Sequence, residues 1–292
     1  MIKDFIKNFD YEEDVNLKKY NTYKVESFAK YVILPKNVQE LKQILTFLKE
    51  NQEEYLLLGN GSNVILTRDT YNIVIKLDHL QNIEIKDNII KVEAGFPLMK
   101  LAKLALDNNL SGLEFAGGIP GQVGASIAMN AGAYKEDIGS LVKEVKVLDD
   151  NLNIITLTNE DLNFSYRNSL FKEKRVYICL EATLELKRGI SIEISRIMEN
   201  RKTRRIETQP LDYPSAGSVF RNPDNLYAGA LIEDLGLKGY SLGDAKVSEK
   251  HANFIINNGS ASGSDIVRLI NLITSEVKEK YDVDLILEQE IK

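Results

Sequence analysis

The sequence predicts an α+β protein, and three observations carry that class. Helical and strand-like stretches follow one another without the regular βαβ rhythm of a parallel sheet. Apolar residues recur with helical spacing at 38–49, 98–107 and 265–280, while most apolar runs between them are too short for helices. Glycine is concentrated rather than spread, with six of the 18 glycines between residues 112 and 132.

Taken in order, Val38, Leu41, Ile44, Leu45 and Leu48 lie about one helical turn apart behind Pro35, so a helix is expected over 38–49. Tyr55-Leu56-Leu57-Leu58 reads as a buried strand ended by Gly59, then a turn over 59–63 and a second strand at Val64-Ile65-Leu66. Further strands are expected at 73–77, 83–85 and 89–92. Leu98, Leu101, Ala102 and Ala105 share one face of a helix over 98–107. Beyond the glycine-rich run, 142–148 and 153–157 form a hairpin around Asp149-Asp150-Asn151. A long strand over 176–186 precedes a helix over 192–204. Pro210 and Pro214 then break the pattern, and 215–222 is a loop of small residues. The last helix, over 265–280, carries Ile266, Leu269, Ile270, Ile273 and Val277 in phase, with Ser262 or Ser264 as its cap. The seams fall near residue 77 and near 205–214, which divides the chain into 1–77, 78–205 and 206–292.

A chain of 292 residues with 43% hydrophobic and 27% charged content has the composition of a soluble globular protein. Its formal charge of −6 leaves no basic surplus to neutralise a nucleic-acid backbone. Cys179 is the sole cysteine, which rules out an intrachain disulfide and fits a reducing compartment. Met1-Ile2-Lys3-Asp4-Phe5 is too charged for a signal peptide, and no long apolar span follows. Two histidines, His79 and His251, with one cysteine are too few for a structural zinc site. The expectation is a cytoplasmic protein without metal, nucleic-acid or membrane partners.

The run Gly112 to Tyr134 contains no Lys, Arg or His. Glycine lets backbone N–H groups turn outward and a ligand approach without a Cβ in the way. Such loops hold phosphates with main-chain donors, so a diphosphate-bearing cofactor is the natural guest. Ordinary tight turns between small-residue helices are the alternative. A Gly-x4-Gly-Lys-Ser/Thr loop is absent, and Gly59-Asn60-Gly61-Ser62-Asn63-Val64 fails the Gly-x-Gly-x-x-Gly pattern, so neither a P-loop nor the common Rossmann fingerprint applies.

Two further segments can carry chemistry. In Phe164-Ser165-Tyr166-Arg167-Asn168-Ser169, an arginine among small polar residues either pairs with a ligand carboxylate or phosphate or stands as a solvated loop cation. In Tyr213-Pro214-Ser215-Ala216-Gly217-Ser218-Val219-Phe220-Arg221-Asn222-Pro223, hydroxyl and amide donors sit on a constrained loop, where turn serines more often serve as caps. A Ser-His-Asp hydrolase is disfavoured because Gly-x-Ser-x-Gly is missing.

Together these motifs resemble the UDP-N-acetylenolpyruvoylglucosamine reductase family. The resemblance runs from Asn21 to the last residue through Leu58 to Val64, Ala116 to Gly121, Asn130 to Tyr134, Tyr166 to Ser169, Ala216 to Pro223, Gly243 to Ser248, His251 to Phe254 and Leu287 to Ile291, in the family's order. It implies an FAD-binding fold of the PCMH/vanillyl-alcohol-oxidase type with a C-terminal α+β substrate domain. Residues 1–77 and 78–205 would then be FAD-binding subdomains and 206–292 the substrate-binding domain, with the last strand returning to the first part. It also implies non-covalent FAD, NADPH as co-substrate, a UDP-sugar substrate and no obligate protein partner. His79, His251 and Cys179, the residue types that could attach a flavin, all lie outside the glycine loops.

By the same resemblance Ser218 is the proton donor, Arg167 stabilises the developing enolate, and Glu290 assists, in preference to Glu288. Gly59, Asn60, Gly61, Ser62 and Asn63 would line one side of the FAD diphosphate. Gly117, Gly118, Ile119, Pro120, Gly121, Val123 and Gly124 would line the other, with Asn130 and Gly132 on the same wall. Asn222 would meet the nucleotide part of the substrate, while Arg205 and its basic neighbours either face the substrate diphosphate or stand as a solvated helix end. Only 33 residues separate Arg167 from Arg201, so the chain resembles the shorter, second type of the family, without an inserted substrate-covering loop. The chain ends two residues past Glu290, and a frayed terminus would leave that residue less firmly held.

Overall fold

Two hydrophobic cores organise the chain, one in each of two units. The computed structural model describes residues 2–174 and 176–292; Met1, part of the leader reading, lies outside them. The first unit comprises Met1–Glu13, Tyr31–Gly59 and Asn72–Thr203, and the second Asp14–Lys30, Asn60–Tyr71 and Arg204–Lys292. These units cut the chain differently from the three-part expectation. The seam at 77 falls inside the first unit, because Leu77 and Leu80 are buried in one core with Ile33 and Ile75. The passage at 203/204 lies within the helix Ser191–Thr208, close to the other expected seam.

The first unit is built on an antiparallel five-stranded sheet in the order Ile154–Thr158, Val142–Leu148, Ile178–Glu185, Ile89–Glu93, Ile83–Lys86. Val145 pairs with Leu157 on one side and Ala182 on the other, and Ala182 in turn with Val92. Alternation along these strands buries Val145, Val147, Ile90 and Val92. The helix Leu98–Asp107 buries the four residues its spacing predicts, Leu98, Leu101, Ala102 and Ala105. The helix Val38–Glu50 buries Leu41, Ile44, Leu45 and Leu48 and is capped by Asn37, whose side chain accepts from the Glu40 N–H.

The expected buried strand at 55–58 is shorter. Leu56–Leu57 pairs in parallel with Val74 and Ile75 at the edge of its sheet, which leaves Tyr55 and Leu57 exposed. Between Arg167 and Arg201 the described residues form the short helix Leu170–Glu173, the strands Ile178–Glu185 and Lys187–Arg188, and the first part of the helix Ser191–Thr208.

In the second unit the helix Gly263–Tyr281 buries Ile266, Leu269, Ile270, Ile273 and Val277. It starts in a capping box: Ser262 accepts from the Asp265 N–H, and the Asp265 carboxylate accepts from the Ser262 N–H. It shares a core with the short helix Ala228–Asp234 and with Ala245, Val247 and Ile255 of a three-stranded antiparallel sheet, Ser241–Leu242, Ala245–Val247 and Ile255–Asn257. These elements escaped the sequence because they are too short to show a period. Glu290–Ile291 pairs in parallel with Val64–Ile65. The C-terminus is not frayed: the Lys292 carbonyl accepts from the Thr67 N–H, the Thr67 hydroxyl and the Tyr71 hydroxyl at 2.8, 2.6 and 2.7 Å. Among the described residues no helix is long and apolar enough to cross a membrane.

Candidate active site

In the first unit, the amide of Leu58 bonds the Ile75 carbonyl, and the next residue, Gly59, opens the loop. The glycine-rich run starts as a short helical turn, Glu114–Gly118, whose buried Glu114 carboxylate accepts from the Ser111 hydroxyl and the Gly112 N–H. Gly117 faces Met198, whose Cε would lie 2.8 Å from a Cβ there. Gly118 is half-buried and Pro120 exposed. Several of the expected donors are committed inside the protein. Ile119 donates to Ala116, Gly121 to Ile119, Val123 to Phe96 and Gly124 to Ala94. Val123 and Gly124 are instead packing positions, with Val123 fully buried and a Cβ on Gly124 only 2.7 Å from that of Ala94. Gln122 and Ala125, not expected from the sequence, present backbone N–H groups with no partner among the described residues, as does Gly59.

Asn130, Gly132 and Arg167 are brought together in this unit. Ser165 and Asn168 exchange backbone hydrogen bonds at 3.1 Å each, so Tyr166 and Arg167 form a two-residue tip with Arg167 at φ 55°. A left-handed non-glycine residue is held there by its surroundings. Asn130 supplies them: its Nδ2 donates to the Ser165 carbonyl at 2.8 Å and its Oδ1 accepts from the Gly139 N–H at 2.9 Å. Arg167 Nη2 donates to the Gly132 carbonyl at 2.6 Å, with the guanidinium over the Tyr166 ring. The side chain of Asn130 is thus committed to the arginine tip.

In the second unit, Gly61 has φ +60°, and a Cβ there would stand 2.3 Å from the Tyr20 carbonyl oxygen. No other residue fits, because the Gly61 carbonyl is also bonded by the N–H of Thr22. The N–H groups of Gly61 and Ser62 have no partner among the described residues. Asn60 is exposed, and Asn63 receives the Glu290 N–H on its carbonyl and donates from Nδ2 to the Glu288 carbonyl.

Ser218 is half-buried, and its hydroxyl has no hydrogen-bond partner among the described residues. The C-terminal segment holds the loop on both sides of it. The Glu288 N–H donates to the Val219 carbonyl at 2.8 Å, and Gln289 Nε2 donates to the Ala216 and Gly217 carbonyls at 3.1 Å each. Gln289 Oε1 accepts from the hydroxyl of Tyr23, which is fully buried and whose pKa burial pushes far above the usual tyrosine range. Asn253 clamps Phe220 through both backbone groups, at 3.0 and 2.8 Å. Gln289, Tyr23 and Asn253 carried no assigned role in the sequence; their burial as polar residues is what marks them.

Glu290 is half-buried, with its carboxylate 2.6 Å from Lys292 Nζ. Asn222 Oδ1 accepts from the Ala228 N–H at the start of the helix Ala228–Asp234, so this side chain also has a structural bond. Arg205 is half-buried on the helix Ser191–Thr208. Gln209 Oε1 and Arg221 Nε are buried without a hydrogen-bond partner among the described residues.

Backbone amides without acceptors, on loops that carry no acidic side chain at those positions, suit a diphosphate. In the first unit such donors are present at Gly59, Gln122 and Ala125, and these residues fit an FAD diphosphate; the second unit carries donors of the same kind at Gly61 and Ser62.

Comparison with known proteins agrees. Residues 209–292 match the family described as UDP-N-acetylenolpyruvoylglucosamine reductase, C-terminal domain, and residues 29–158 match an FAD binding domain. The UDP-N-acetylenolpyruvoylglucosamine reductase of Caldanaerobacter subterraneus subsp. tengcongensis is 45% identical over 276 residues, covering 94% of this chain and 91% of that one. UDP-N-acetylenolpyruvoylglucosamine reductase 1 of Bacillus cereus is 43% identical over 277 residues, covering 94% and 92%. The crystal structure of the reductase from Thermus caldophilus superposes with a TM-score of 0.82 at 34% identity, covering 97% of this chain and 99% of that one. BBE-like 1 of Physcomitrella patens shares the fold at a TM-score of 0.50 and 14% identity, covering 64% and 44%.

Proposed function

The chain belongs to the UDP-N-acetylenolpyruvoylglucosamine reductase family, and from that premise we propose how its residues divide the work of the reaction. It is an FAD-containing, NADPH-dependent oxidoreductase that converts UDP-N-acetylglucosamine enolpyruvate to UDP-N-acetylmuramate in peptidoglycan precursor synthesis. The chemistry that FAD would supply when bound and reduced by NADPH is a hydride for one carbon of the enolpyruvyl double bond.

The protein must then stabilise negative charge and deliver a proton to the other carbon. Arg167 pairs with the substrate carboxylate and stabilises the enolate that develops there. Ser218 donates the proton; a hydroxyl of ordinary acidity suffices against so basic a carbon held within hydrogen-bond reach. Glu290 assists Ser218, Asn222 meets the nucleotide and Arg205 the substrate diphosphate. In the first unit Gly59, Gln122 and Ala125 offer N–H donors to the cofactor diphosphate, on backbone shaped by Gly117, Gly118, Ile119, Pro120, Gly121, Val123 and Gly124; in the second, Gly61 and Ser62 offer theirs, on a loop shaped by Asn60 and Asn63. Residues 206–292 form the substrate-binding part of the chain. The reaction takes place in the cytoplasm and needs no nucleic-acid, membrane or obligate protein partner.

The observation that carries this reading is the Ser218 loop, fixed on both sides by the C-terminal segment while its hydroxyl stays without a partner among the described residues. The test is anaerobic stopped-flow absorbance at the oxidised flavin band. NADPH should bleach the band, and UDP-N-acetylglucosamine enolpyruvate should restore it. Bleaching without recovery would remove the substrate assignment.

A further inference from the structure

A buried lysine in the first unit faces the point where the glycine loop opens. Lys76 directly follows the strand Thr70–Ile75, is 2% exposed, and donates from Nζ to the Gly59 carbonyl at 2.8 Å. Its Nζ also lies 3.4 Å from Asp78 Oδ1. That same carboxylate oxygen accepts from Gln122 Nε2 at 2.8 Å. Gln122 is buried and lies between Gly121 and Val123; its Oε1 would stand 3.2 Å from a Cβ on Gly59. The ring closes on itself: Gly59 carbonyl, Lys76 ammonium, Asp78 carboxylate, Gln122 amide and back against Gly59.

Burying an ammonium group is unfavourable unless it is paired and bonded, and a well-packed apolar side chain serves a purely structural position as well or better. Here burial pulls the Lys76 pKa below the ordinary lysine value, while Asp78 opposes that shift. The ring also does something geometric. Each peptide is planar, and the Gly59 N–H lies in the peptide between two that are pinned, by the Leu58 N–H on the Ile75 carbonyl and by Lys76 on the Gly59 carbonyl, so its direction is restricted. Tethering the Gln122 side chain likewise fixes a residue whose own backbone N–H has no partner among the described residues.

We propose that Lys76, Asp78 and Gln122 act together as positioning residues for the cofactor diphosphate. They hold the Gly59 and Gln122 backbone in donor geometry before the cofactor arrives, with a buried positive charge beside the loop that has no cation of its own. The inference rests on the assignment of the chain as an FAD enzyme and adds to it side chains outside the glycine motifs.

The test is FAD titration of apoprotein, followed by flavin fluorescence quenching, for wild type, K76M, Q122L and the double variant. Thermal unfolding of each apoprotein is measured alongside, and kcat is measured at saturating FAD. Each single variant should weaken FAD binding at least tenfold, and the double variant should lose little more than the weaker-binding single, as coupled residues do. Q122L should unfold within a few degrees of wild type, and its kcat at saturating FAD should fall by less than its FAD affinity. K76M and Q122L apoproteins with FAD affinity within twofold of wild type, or losses that simply multiply in the double variant, would overturn the proposal. If K76M does not fold, D78N combined with Q122L makes the same cycle. Wild-type apoprotein that takes up no FAD would overturn the FAD assignment and this inference together, whereas unchanged variants beside a wild type that binds FAD overturn the inference alone.

Discussion

Gln289 donates through Nε2 to the carbonyl of Gly217, the residue before Ser218, at 3.1 Å. The same amide nitrogen reaches the Ala216 carbonyl, and its oxygen is capped by the Tyr23 hydroxyl at 3.0 Å. A residue 72 positions away in the chain therefore sets the backbone on which the proposed proton donor sits.

Replacing Gln289 by Leu leaves the Tyr23 hydroxyl and two carbonyls without partners. Leaving such groups unsatisfied in the interior is expected to lower stability by about 2 kcal/mol. Product formation in Q289L should fall while flavin reduction by NADPH continues, because the loop is disturbed on the protonating side. Urea denaturation and the two half-reactions measured separately check both parts; normal turnover with normal stability would refute the role.

Ser218→Ala removes the proposed proton donor, a hydroxyl with no hydrogen-bond partner among the described residues. NADPH should still bleach the flavin at the wild-type rate, and reoxidation by substrate should slow by about 100-fold or more. Full turnover by this variant would sink the assignment of Ser218.

Gly263 begins the last long helix with its Cα against the chain at Leu66, where a Cβ would lie 1.9 Å from the carbonyl oxygen. Alanine cannot enter without moving backbone, so G263A is expected to cost about 3 kcal/mol. The neighbouring S262A, which loses the cap bond to the Asp265 N–H at 3.1 Å, should cost about 1 kcal/mol. Thermal unfolding of the two variants should rank them in that order.

His251 makes stability fall on the acid side of neutrality. Burial pushes its pKa below the usual histidine value of 6.5, with Lys238 adding to the shift. Its Nδ1 accepts from the Asn253 N–H at 3.2 Å, a bond that protonation of that nitrogen abolishes. As the pH drops through 6.5, the unfolded chain takes up the proton before the folded one does. The contribution is thus present above the unfolded value and lost as pH falls toward the lower folded value. Unfolding midpoints measured from pH 8 to pH 5, a range taken as about 1.5 units either side of an ordinary histidine, should decline more steeply in wild type than in H251Q. Parallel curves would refute the assignment of this slope to His251.

Much of the fold was legible because its signals are local. The helix Leu98–Asp107 lies where four apolar residues recur with helical spacing, and the capping box of Gly263–Tyr281 lies where Ser262 precedes Asp265 by three. The short helix Val123–Ala128 and the three-stranded sheet of the second unit carry too few residues for a period to emerge. In the site, the glycine loops were legible by composition, yet their donors were not. Val123 and Gly124 donate to Phe96 and Ala94, residues of a separate chain segment. Lys76 follows Ile73-Val74-Ile75 as a charged residue at a strand end, a place where lysine ordinarily turns to water.

By itself, then, the sequence determined the α+β class, the long helices, the glycine positions and, through motifs kept in order, the family. Periodicity, capping and the steric freedom of glycine depend on neighbours a few residues away, and motif order survives without coordinates. Tertiary structure alone decided which amides of those loops keep a free N–H, that Asn130 is committed to the arginine tip, that Gln289 holds the Ser218 loop, and that Lys76 is buried against Gly59. Each of those outcomes depends on which distant segment packs against a polar group. A buried donor or acceptor must find its partner there, and no local pattern encodes where that partner comes from.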